Sequence, residues 1–308
     1  MTRSNEAPLP PRALASRVFR VDEWGDPLAA FVEIGAQTSR AIRDLLPADW
    51  SFEDKRVLDF GCGVGRTLRH FLEEAETAEF WGADIDKPSI DWLQASLSPP
   101  LHAWRCAPAP PLGLEPGTFD LAWAVSVFTH LTVNSLPWLL ELHRLLKPDG
   151  LLIATYMGRW NSEFAAGEPW DENHIGMSVV QQNPDWDSGG PAVFMSDWWV
   201  RAHWGRGFEI LHIEPQIHNM SWAVMRKRDV PLTTQELERP ADDPREYAAV
   251  QHSLRQAQKN ALDLVVRLQS VEEAVRREYE SSLSWRLTQP LRRAGAGARS
   301  LRRRNVHE

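Results

Sequence analysis

Cysteine is scarce in this sequence, since only Cys62 and Cys106 occur among 308 residues. Two cysteines supply neither a zinc-ligand cluster of their own nor a framework of several disulfides. Asp171, Glu172 and His174 could bind a cation, but their spacing is not specific, so we expect no metal site. So little cysteine is also typical of proteins in a reducing compartment, and we expect a cytoplasmic protein.

Long apolar runs are missing as well. No stretch approaches the roughly 20 residues that a membrane-spanning helix needs. Residues 1–20 contain no apolar core of the kind that marks a signal peptide. We therefore expect neither a transmembrane segment nor secretion.

Excess positive charge is absent from most of the chain. The formal net charge is −8, which disfavours general nucleic-acid binding, so we expect no nucleic-acid partner. Residues 285–308 are the exception, because they carry seven arginines and one glutamate. A basic tail on an acidic body suggests that the tail has a partner of its own.

Strand and helix patterns alternate between residues 27 and 228. This alternation predicts an α/β domain with a parallel sheet, and it includes a helix over residues 67–74. Residues 157–205 interrupt the rhythm and are rich in tryptophan, so we expect a lid or insertion over the site. Residues 1–26 are expected to be loose, and the polar, proline-punctuated residues 229–246 are expected to form a linker.

A heptad pattern follows over residues 247–284. Its apolar positions alternate steps of three and four: Tyr247, Val250, Leu254, Ala257, Ala261, Leu264, Leu268, Val271 and Val275. Such spacing predicts a coiled coil and a homo-oligomer formed through it. The alternative is a single amphipathic helix that folds back on the domain.

Residues 57–66 read VLDFGCGVGR, an apolar run followed by glycines at every second position. Glycines let a nucleotide approach the backbone, and the N-terminus of a following helix offers free N–H groups. The dinucleotide pattern would require a third glycine where Arg66 stands. Asp59 would repel a pyrophosphate and favour a ligand that carries an ammonium group.

A second acid, Asp84, follows 19 residues after Gly65 at the end of the next apolar run. An acid at the tip of a second strand accepts hydrogen bonds from ribose hydroxyls. The alternative is an acid at a helix N-terminus, a role that Asp86 fits better because Lys87 and Pro88 follow it. An acid for a cation and an acid for a ribose together indicate S-adenosylmethionine (SAM).

Residues 27–228 resemble the class I SAM-dependent methyltransferases. The first motif is VLDFGCGVGR, and WGADID resembles the acidic motif after the second strand. TFDLAWAVSVFTHL and LHRLLKPDGLLIATY resemble the fourth and fifth strand regions, and GFEILHI with SWAVMRK resembles the closing hairpin. The resemblance implies a doubly wound, Rossmann-like, mostly parallel seven-stranded sheet whose last strand is antiparallel.

The resemblance also implies which residues bind the cofactor. Asp59 and the loop of Gly61, Cys62, Gly63 and Gly65 would surround the methionine and ribose portions. Asp84 would take the ribose hydroxyls, Ile85 would pack on adenine, and Val125 and Ser126 would line the methionine side. The family often has an acid before the fourth strand. The corresponding segment here, residues 105–111, contains no acid, so backbone groups of Cys106 and Ala107 would serve the adenine.

Two histidines are candidates for a general base that activates an oxygen acceptor. His130 follows the fourth strand in FTHL, and His174 lies in the insertion within EPWDENHIGM. The alternative for His130 is a packing or helix-entry role, and His174 could instead contact the substrate. The candidate substrate contacts lie in the insertion and the helix after it: Trp160, Trp170, Asp171, Glu172 and Trp199. The alternative is that these tryptophans pack the lid on the sheet.

Residues 279–293, YESSLSWRLTQPLRR, resemble a segment near the termini of bacterial glycosyltransferases and O-antigen or capsule assembly proteins. This resemblance implies O-methylation of a sugar hydroxyl in cell-surface polysaccharide biosynthesis. The tail would contact the inner membrane surface or a glycosyltransferase. A methyltransferase of a small natural product or lipid is one alternative. A cofactor-binding scaffold that recruits glycosyltransferases is another.

Overall fold

The computed structural model describes residues 7–16, 25–167, 169–181, 190–282 and 288. The chain divides into two compact units, Met1–Ala257 and Gln258–Glu308. The first unit holds an α/β sheet and its helices. The tail over 285–308, with the expectations attached to it, lies outside the described residues except at Thr288.

Helices and strands alternate along most of the described chain. The helices are α1 (Arg12–Ala15), α2 (Pro27–Leu45), α3 (Lys87–Leu97), α4 (Ser135–Leu145), α5 (Asp197–His203), α6 (Thr234–Glu238) and α7 (Glu246–Ser281). The strands are β1 (Arg56–Phe60), β2 (Glu79–Asp84), β3 (His102–Arg105), β4 (Phe119–Ala124), β5 (Leu146–Tyr156), β6 (Met177–Gln181), β7 (Ala192–Met195), β8 (Phe208–Ile217) and β9 (Met220–Lys227).

Seven strands form the main sheet in the order β3-β2-β1-β4-β5-β9-β8. The first five are parallel, and β9 runs antiparallel to both of its neighbours. The expected Rossmann-like, mostly parallel seven-stranded sheet is therefore confirmed. The strand order reverses between β1 and β4, and ligands of such sheets bind beyond the carboxyl ends of the strands at that point.

Both faces of the sheet are buried, which explains the nearly continuous apolar runs of its strands. Successive residues of a strand point to opposite faces. On β4, Leu121 and Trp123 belong to one buried cluster, whereas Ala122 and Ala124 belong to the other. The sheet thus holds the ends of β1, β2 and β4 in fixed positions for the site described below.

The segment after the glycine loop differs from the helix expected over 67–74. The structure has two short 3₁₀ turns there, Leu68–Phe71 and Glu74–Glu76. A 3₁₀ turn places residues three apart on one side, and Leu68 and Phe71 are both fully buried. Both side chains belong to the same buried cluster as Phe80 of β2.

Part of the N-terminal segment expected to be loose is anchored to the domain. Arg69 donates hydrogen bonds to the carbonyl oxygens of Pro8 and Ala7, at 3.1 and 2.9 Å. Ala15 on α1 is buried in a cluster with Phe31 and Val64. The described residues 7–16 therefore pack on α2 and the glycine loop.

The segment expected to be a linker is also structured. It contains α6, whose first turn is closed by a reciprocal capping box between Thr233 and Glu236. Leu237 is fully buried, and Glu246 bonds to the buried His203 at 3.1 Å. The first compact unit accordingly runs on to Ala257, beyond the boundary at 228 that the sequence suggests.

The insertion over 157–205 has regular structure of its own. A π-helical turn over Asn161–Ala166 leads to the two-stranded sheet of β6 and β7, and α5 follows. An isolated bridge joins Met157 at the end of β5 to Phe194 on β7. Among the described residues, no helix is long and apolar enough to cross a bilayer.

Candidate functional site

The glycine loop leaves the carboxyl end of β1 in a conformation that requires glycine. Gly61 has φ +80°, and a Cβ added there would lie 2.3 Å from Cγ2 of Val127. The backbone N–H groups of Gly61 and Cys62 both donate to the carbonyl oxygen of Ala83 on β2. The loop is therefore tied to β2 and turned sharply across the end of the sheet.

The middle of this loop faces open space. Gly63 has φ +53°, and an added Cβ would meet nothing within 4 Å. A Cβ added at Gly65 would lie 2.8 Å from Cδ1 of Leu93 on α3. Gly63 therefore borders room for a ligand, whereas Gly65 is required for close packing of the loop on α3.

Asp84 holds the loop in place. Its Oδ2 accepts from Gly63 N at 2.7 Å, and its Oδ1 accepts from Asp86 N at 2.8 Å. Burial raises the pKa of Asp84, and these backbone donors oppose the rise. Since a carboxylate has about four lone-pair sites, it can also accept from ribose hydroxyls. The sequence predicts the ribose role, and the structure adds the clamp on Gly63.

Asp59, the acid before the glycines, is almost completely buried, with 3% exposure. Its Oδ2 atom is left without a hydrogen bond. Loss of hydration raises the pKa of Asp59 to about 7, and the neighbouring Trp123 indole and Arg66 guanidinium only partly oppose this. A buried carboxyl with an unused oxygen is a site prepared for a positively charged group.

The end of β4 contributes Val125 and Ser126, both half-buried. Ser126 has φ +59°, which is uncommon for a residue with a side chain. Its N–H donates to Oγ1 of the fully buried Thr155 on β5 at 2.7 Å. Thr155 therefore fixes the turn that places Ser126 where the strand order reverses, between β1 and β4. Nothing in the local sequence pattern marks this threonine.

The residues expected around adenine lie just after two neighbouring strands, Ile85 after β2 and Cys106 and Ala107 after β3. Cys106 N donates to the Asp84 carbonyl oxygen at 2.9 Å, and Arg105 Nε donates to the Ile85 carbonyl oxygen at 3.1 Å. Ile85 is half-buried, and Ala107 is exposed. Burial raises the pKa of the Cys106 thiol to about 11, so it stays neutral at physiological pH.

Cys62 lies in the loop, but its side chain points into the core. A Cβ added at Gly82 would lie 2.8 Å from Cys62 Sγ. Burial raises the pKa of this thiol well above its ordinary value. Cys62 can therefore take part in cofactor binding only through its backbone.

His130 lies beyond β4 and is held by the returning lid. Its Nδ1 lies 2.7 Å from the carbonyl oxygen of Pro191. Because a carbonyl can only accept, Nδ1 carries the proton and the neutral ring keeps its lone pair on Nε2. Burial lowers the pKa of His130, and the bond to Pro191 opposes this only in part. The ring is thus a neutral imidazole at physiological pH, as a general base must be.

His174 is arranged differently. It forms a surface pair with Asp171, with 2.6 Å between Nδ1 and Oδ2, and both side chains are more than half exposed. The backbone N–H of Asn173 and the His174 ring lower the pKa of Asp171. Within the described residues, the hydrogen bond and ion pair of His174 go to Asp171 rather than to His130 or the glycine loop.

The other predicted acceptor contacts divide into packed and accessible side chains. Trp170 is buried and donates its indole N–H to Oε2 of Glu172 at 2.7 Å. Trp199 is buried and stacks on His203 with 4.4 Å between ring centres. Trp160 remains half-buried beside Phe164, which is strongly exposed and was not singled out in the sequence. Acceptor contact thus remains a prediction for all of them.

Comparison with known proteins identifies the segment that carries this loop. Residues 58–154 match the family model described as a methyltransferase domain. This segment is a methyltransferase domain. The match is confined to these residues, and it supports SAM as the cofactor that the segment would bind.

Relatives match the methyltransferase domain and its surroundings. The chain is 30% identical over 139 residues to a trans-aconitate 2-methyltransferase of Azoarcus sp., covering 42% of this chain and 49% of that protein. It is 31% identical over 143 residues to a ubiquinone biosynthesis O-methyltransferase of Cereibacter sphaeroides, covering 45% and 55%. The chain thus spans about half the length of these curated relatives.

A solved structure with a similar course is that of a SAM-dependent methyltransferase from Mesorhizobium loti. The superposition has a TM-score of 0.47 at 18% identity, and it covers 63% of this chain and 99% of that one.

The residues of the methyltransferase domain fit SAM. Asp59 offers a buried carboxyl with an unused oxygen, Gly63 borders open space, and Asp84 has acceptor capacity left beside it. Within the described part of the chain, no group of three or more His, Cys, Asp or Glu side chains could hold a metal ion. The groups that fit the cofactor thus come from the glycine loop and the ends of β1 and β2.

We predict that Asp84→Ala weakens SAM binding at least tenfold. The change removes acceptors for the ribose and the clamp on Gly63, and a hydrogen bond to a charged group contributes roughly 1.5–3 kcal/mol. Isothermal titration calorimetry measures the affinity. Asp91→Ala, at an exposed acid on α3, is the matched control. Equal affinities of the two variants would contradict the assignment of Asp84.

We also predict that Thr155→Val lowers the melting temperature and weakens SAM binding severalfold. The change keeps the shape of the side chain but leaves the N–H of the half-buried Ser126 without its acceptor, which costs about 1 kcal/mol or more. Differential scanning fluorimetry with and without SAM measures both effects. Thr155→Ser keeps the hydroxyl and should behave like the unchanged protein. If valine and serine behave alike, the hydroxyl does not hold this turn.

Proposed function

We propose that the whole protein is a SAM-dependent O-methyltransferase that methylates a sugar hydroxyl in cell-surface polysaccharide biosynthesis. One observation carries the oxygen acceptor: His130 is a neutral imidazole whose Nδ1 proton is held by Pro191. Its free Nε2 lone pair can take the proton of a hydroxyl. SAM, when bound, supplies an activated methyl group to that oxygen.

The chain's own residues supply binding, orientation and proton removal. Asp59 and Asp84 bind the charged and ribose portions of the cofactor, and Ser126 shapes the wall at the end of β4. Correct placement of two reactants contributes roughly 7–11 kcal/mol to lowering a barrier. A general base typically adds about 10²–10⁴ in rate when it lies within hydrogen-bond reach of the proton. His130 Nε2 fills this second role.

The sugar as acceptor rests on two observations of unequal weight. The resemblance of residues 279–293 to segments of polysaccharide assembly proteins suggests the pathway. The half-buried Trp160 and the exposed Phe164 offer aromatic faces in the insertion, and aromatic faces stack on the apolar faces of sugars. The basic tail would then contact an anionic membrane surface or a glycosyltransferase.

A second candidate is methylation of a small organic molecule or lipid. It is favoured by the relatives, whose names include trans-aconitate and the ubiquinone pathway. In that case the same base takes the proton of a phenolic hydroxyl, whereas a carboxylate acceptor is already ionised and needs no base. The aromatic pair then contacts an apolar part of the acceptor. The third candidate, a scaffold that binds cofactor without turnover, would leave His130 without a chemical role.

The deciding experiment is transfer of a labelled methyl group by the full-length protein. Lipid-linked glycans, total lipids and small metabolites from the producing cells are offered separately, and Asp84→Ala is the control for cofactor-dependent labelling. Label in the glycan fraction supports the sugar acceptor. Label in either other fraction supports the second candidate. SAM binding without label in any fraction supports the scaffold.

A further inference from the structure

The longest helix of the chain presents an apolar seam to solvent. Helix α7 runs over 36 residues, Glu246–Ser281. The large apolar side chains of the seam are between 42% and 73% exposed: Tyr247, Val250, Leu254, Leu264, Leu268, Val271 and Val275. From residue 261 to 280 the helix is exposed on every side. Most helical stability in proteins comes from packing of an apolar face, so we expect this exposed face to pack against another surface.

The start of α7 also packs on its own domain, but through a different face. Ala249 is buried beside Gly176, and Ser253 Oγ donates to the Met177 carbonyl oxygen at 2.7 Å. If Tyr247 is position a of the first heptad, Ala249 falls at position c and Ser253 at position g, whereas the seam residues occupy positions a and d. In these turns the apolar seam is exposed and does not pack on the chain's own domain. The alternative of a single helix that folds back on the domain with its seam therefore does not apply to them.

We infer that the seam binds a second copy of this chain in a parallel, two-stranded coiled coil. The pattern of steps of three and four is the repeat that two such helices need to interlock. With Tyr247 at position a, Arg267 falls at g and Glu272 at e of the following heptad. In a parallel pair in register these two positions face each other across the seam. The dimer thus gains two Arg267–Glu272 ion pairs by symmetry.

The opposite orientation offers no such pairs. In an antiparallel coiled coil, g positions face g positions and e positions face e positions. The exposed or half-buried residues at g positions are Ser253, Arg267 and Ala274. Those at e positions are Gln251, Gln258, Val265, Glu272 and Tyr279. No register therefore sets an acid of one helix against a base of the other. The remaining g residues, Glu246 and Asn260, are buried, and Glu246 bonds to His203.

The small residues of the seam fit this partner as well. Ala257 and Ala261 lie next to each other along the seam, between Leu254 and Leu264. In a parallel pair, identical residues meet at each level, so the alanines of the two chains face each other and the helices approach closely there. Leucine, valine and tyrosine fill the levels on either side. The dimer is independent of the acceptor and so goes beyond the proposed function.

The first test is the mass of the full-length protein in solution. Light scattering after size exclusion should give twice the chain mass of 35.1 kDa. Leu264→Asp places a charge in the seam and should raise the dimer dissociation constant at least tenfold. Val266→Asp makes the same kind of change on the outer face of the same exposed turn and should leave the dimer intact. The inference would be overturned if the protein without substitutions had the mass of a monomer or of an oligomer larger than a dimer. Equal effects of the two variants on the dissociation constant would also overturn it.

The second test concerns the ion pair. Arg267→Glu and Glu272→Arg should each weaken the dimer, because each sets like charges against one another twice. The variant that carries both changes restores opposite charges and should recover most of the affinity. All three proteins keep the seam and the helix. No loss in the single variants, or no recovery in the double variant, would refute the proposed register.

The third test concerns orientation. Val271→Cys puts a thiol at a d position, where the two copies of a parallel dimer come close enough for a disulfide, which needs Cα atoms about 4.4–6.8 Å apart. We expect covalent dimers under mild oxidation. The unchanged protein, with Cys62 buried and Cys106 half-buried, should remain uncrosslinked. A dimer that does not crosslink at this position would show that the helices are not parallel and in register.

Discussion

Asp59→Asn should make the ligand-free protein more stable at pH 8 and at the same time weaken SAM binding at least tenfold. The stability effect follows from burial, which raises the pKa of Asp59 to about 7. In the unfolded chain the same carboxyl titrates near its ordinary value of 3.8. Above pH 7 the folded protein must therefore hold a buried charge that the unfolded chain hydrates freely. Asparagine has the same shape and carries no charge.

The size of the gain depends on the neighbouring guanidinium. One pKa unit corresponds to about 1.4 kcal/mol, so the shift alone implies a penalty of roughly 4 kcal/mol. The attraction of Arg66 for the ionised Asp59 already lowers this pKa, so it is contained in that figure, and the expected gain is a few kcal/mol. The advantage of the variant should grow as pH rises from 4 to 7 and then level off. Denaturant unfolding at several pH values measures it.

The binding effect has the opposite sign. A carboxylate attracts the cationic methionine portion of SAM, whereas the amide does not. In the unchanged protein, affinity should rise as pH increases toward 7, because binding favours the ionised carboxyl. Titration calorimetry in buffers of different ionisation enthalpy should detect proton release below pH 7. Asp91→Asn is the matched control for both measurements. A variant that is less stable at pH 8 would show that the Asp59–Arg66 attraction outweighs the cost of burial.

The architecture could be predicted because its signals lie within short stretches of sequence. The buried strands read as apolar runs, and the glycines at 61, 63 and 65 mark the turn after β1. Asp84 ends β2 at the spacing that a ribose-binding acid requires. Each of these features depends on residues a few positions apart, so local pattern and spacing are enough to find them.

The parts that escaped prediction depend on contacts between distant residues. Thr155 holds Ser126 across 29 positions, and Pro191 holds His130 across 61. The local sequence around a threonine in a strand, or around a proline in an irregular segment, does not indicate a hydrogen bond to a residue so far along the chain. The tryptophans show the same limit, because the sequence made them candidates for acceptor contact but could not separate the packed Trp170 and Trp199 from the half-buried Trp160.

His130→Asn should lower kcat by about 10²–10³ while leaving SAM affinity unchanged. The amide nitrogen of asparagine can replace Nδ1 as the donor to Pro191, so the lid stays anchored. The basic Nε2 is lost, and an oxygen acceptor must then give up its proton without help. Steady-state kinetics with saturating SAM, together with calorimetry, separates the chemical step from cofactor binding. His212→Asn, at an exposed histidine on β8, is the matched control.

The pH dependence distinguishes this base from Asp59 and from His174. Because the pKa of His130 is lowered, kcat at saturating SAM should be flat at neutral and alkaline pH and fall only in acidic solution. By contrast, kcat/KM for SAM should already fall below about pH 7, where Asp59 becomes protonated. His174→Asn removes the alternative base from its surface pair with Asp171. If that variant loses more activity than His130→Asn, the base lies in the insertion and the acceptor approaches from the lid side instead.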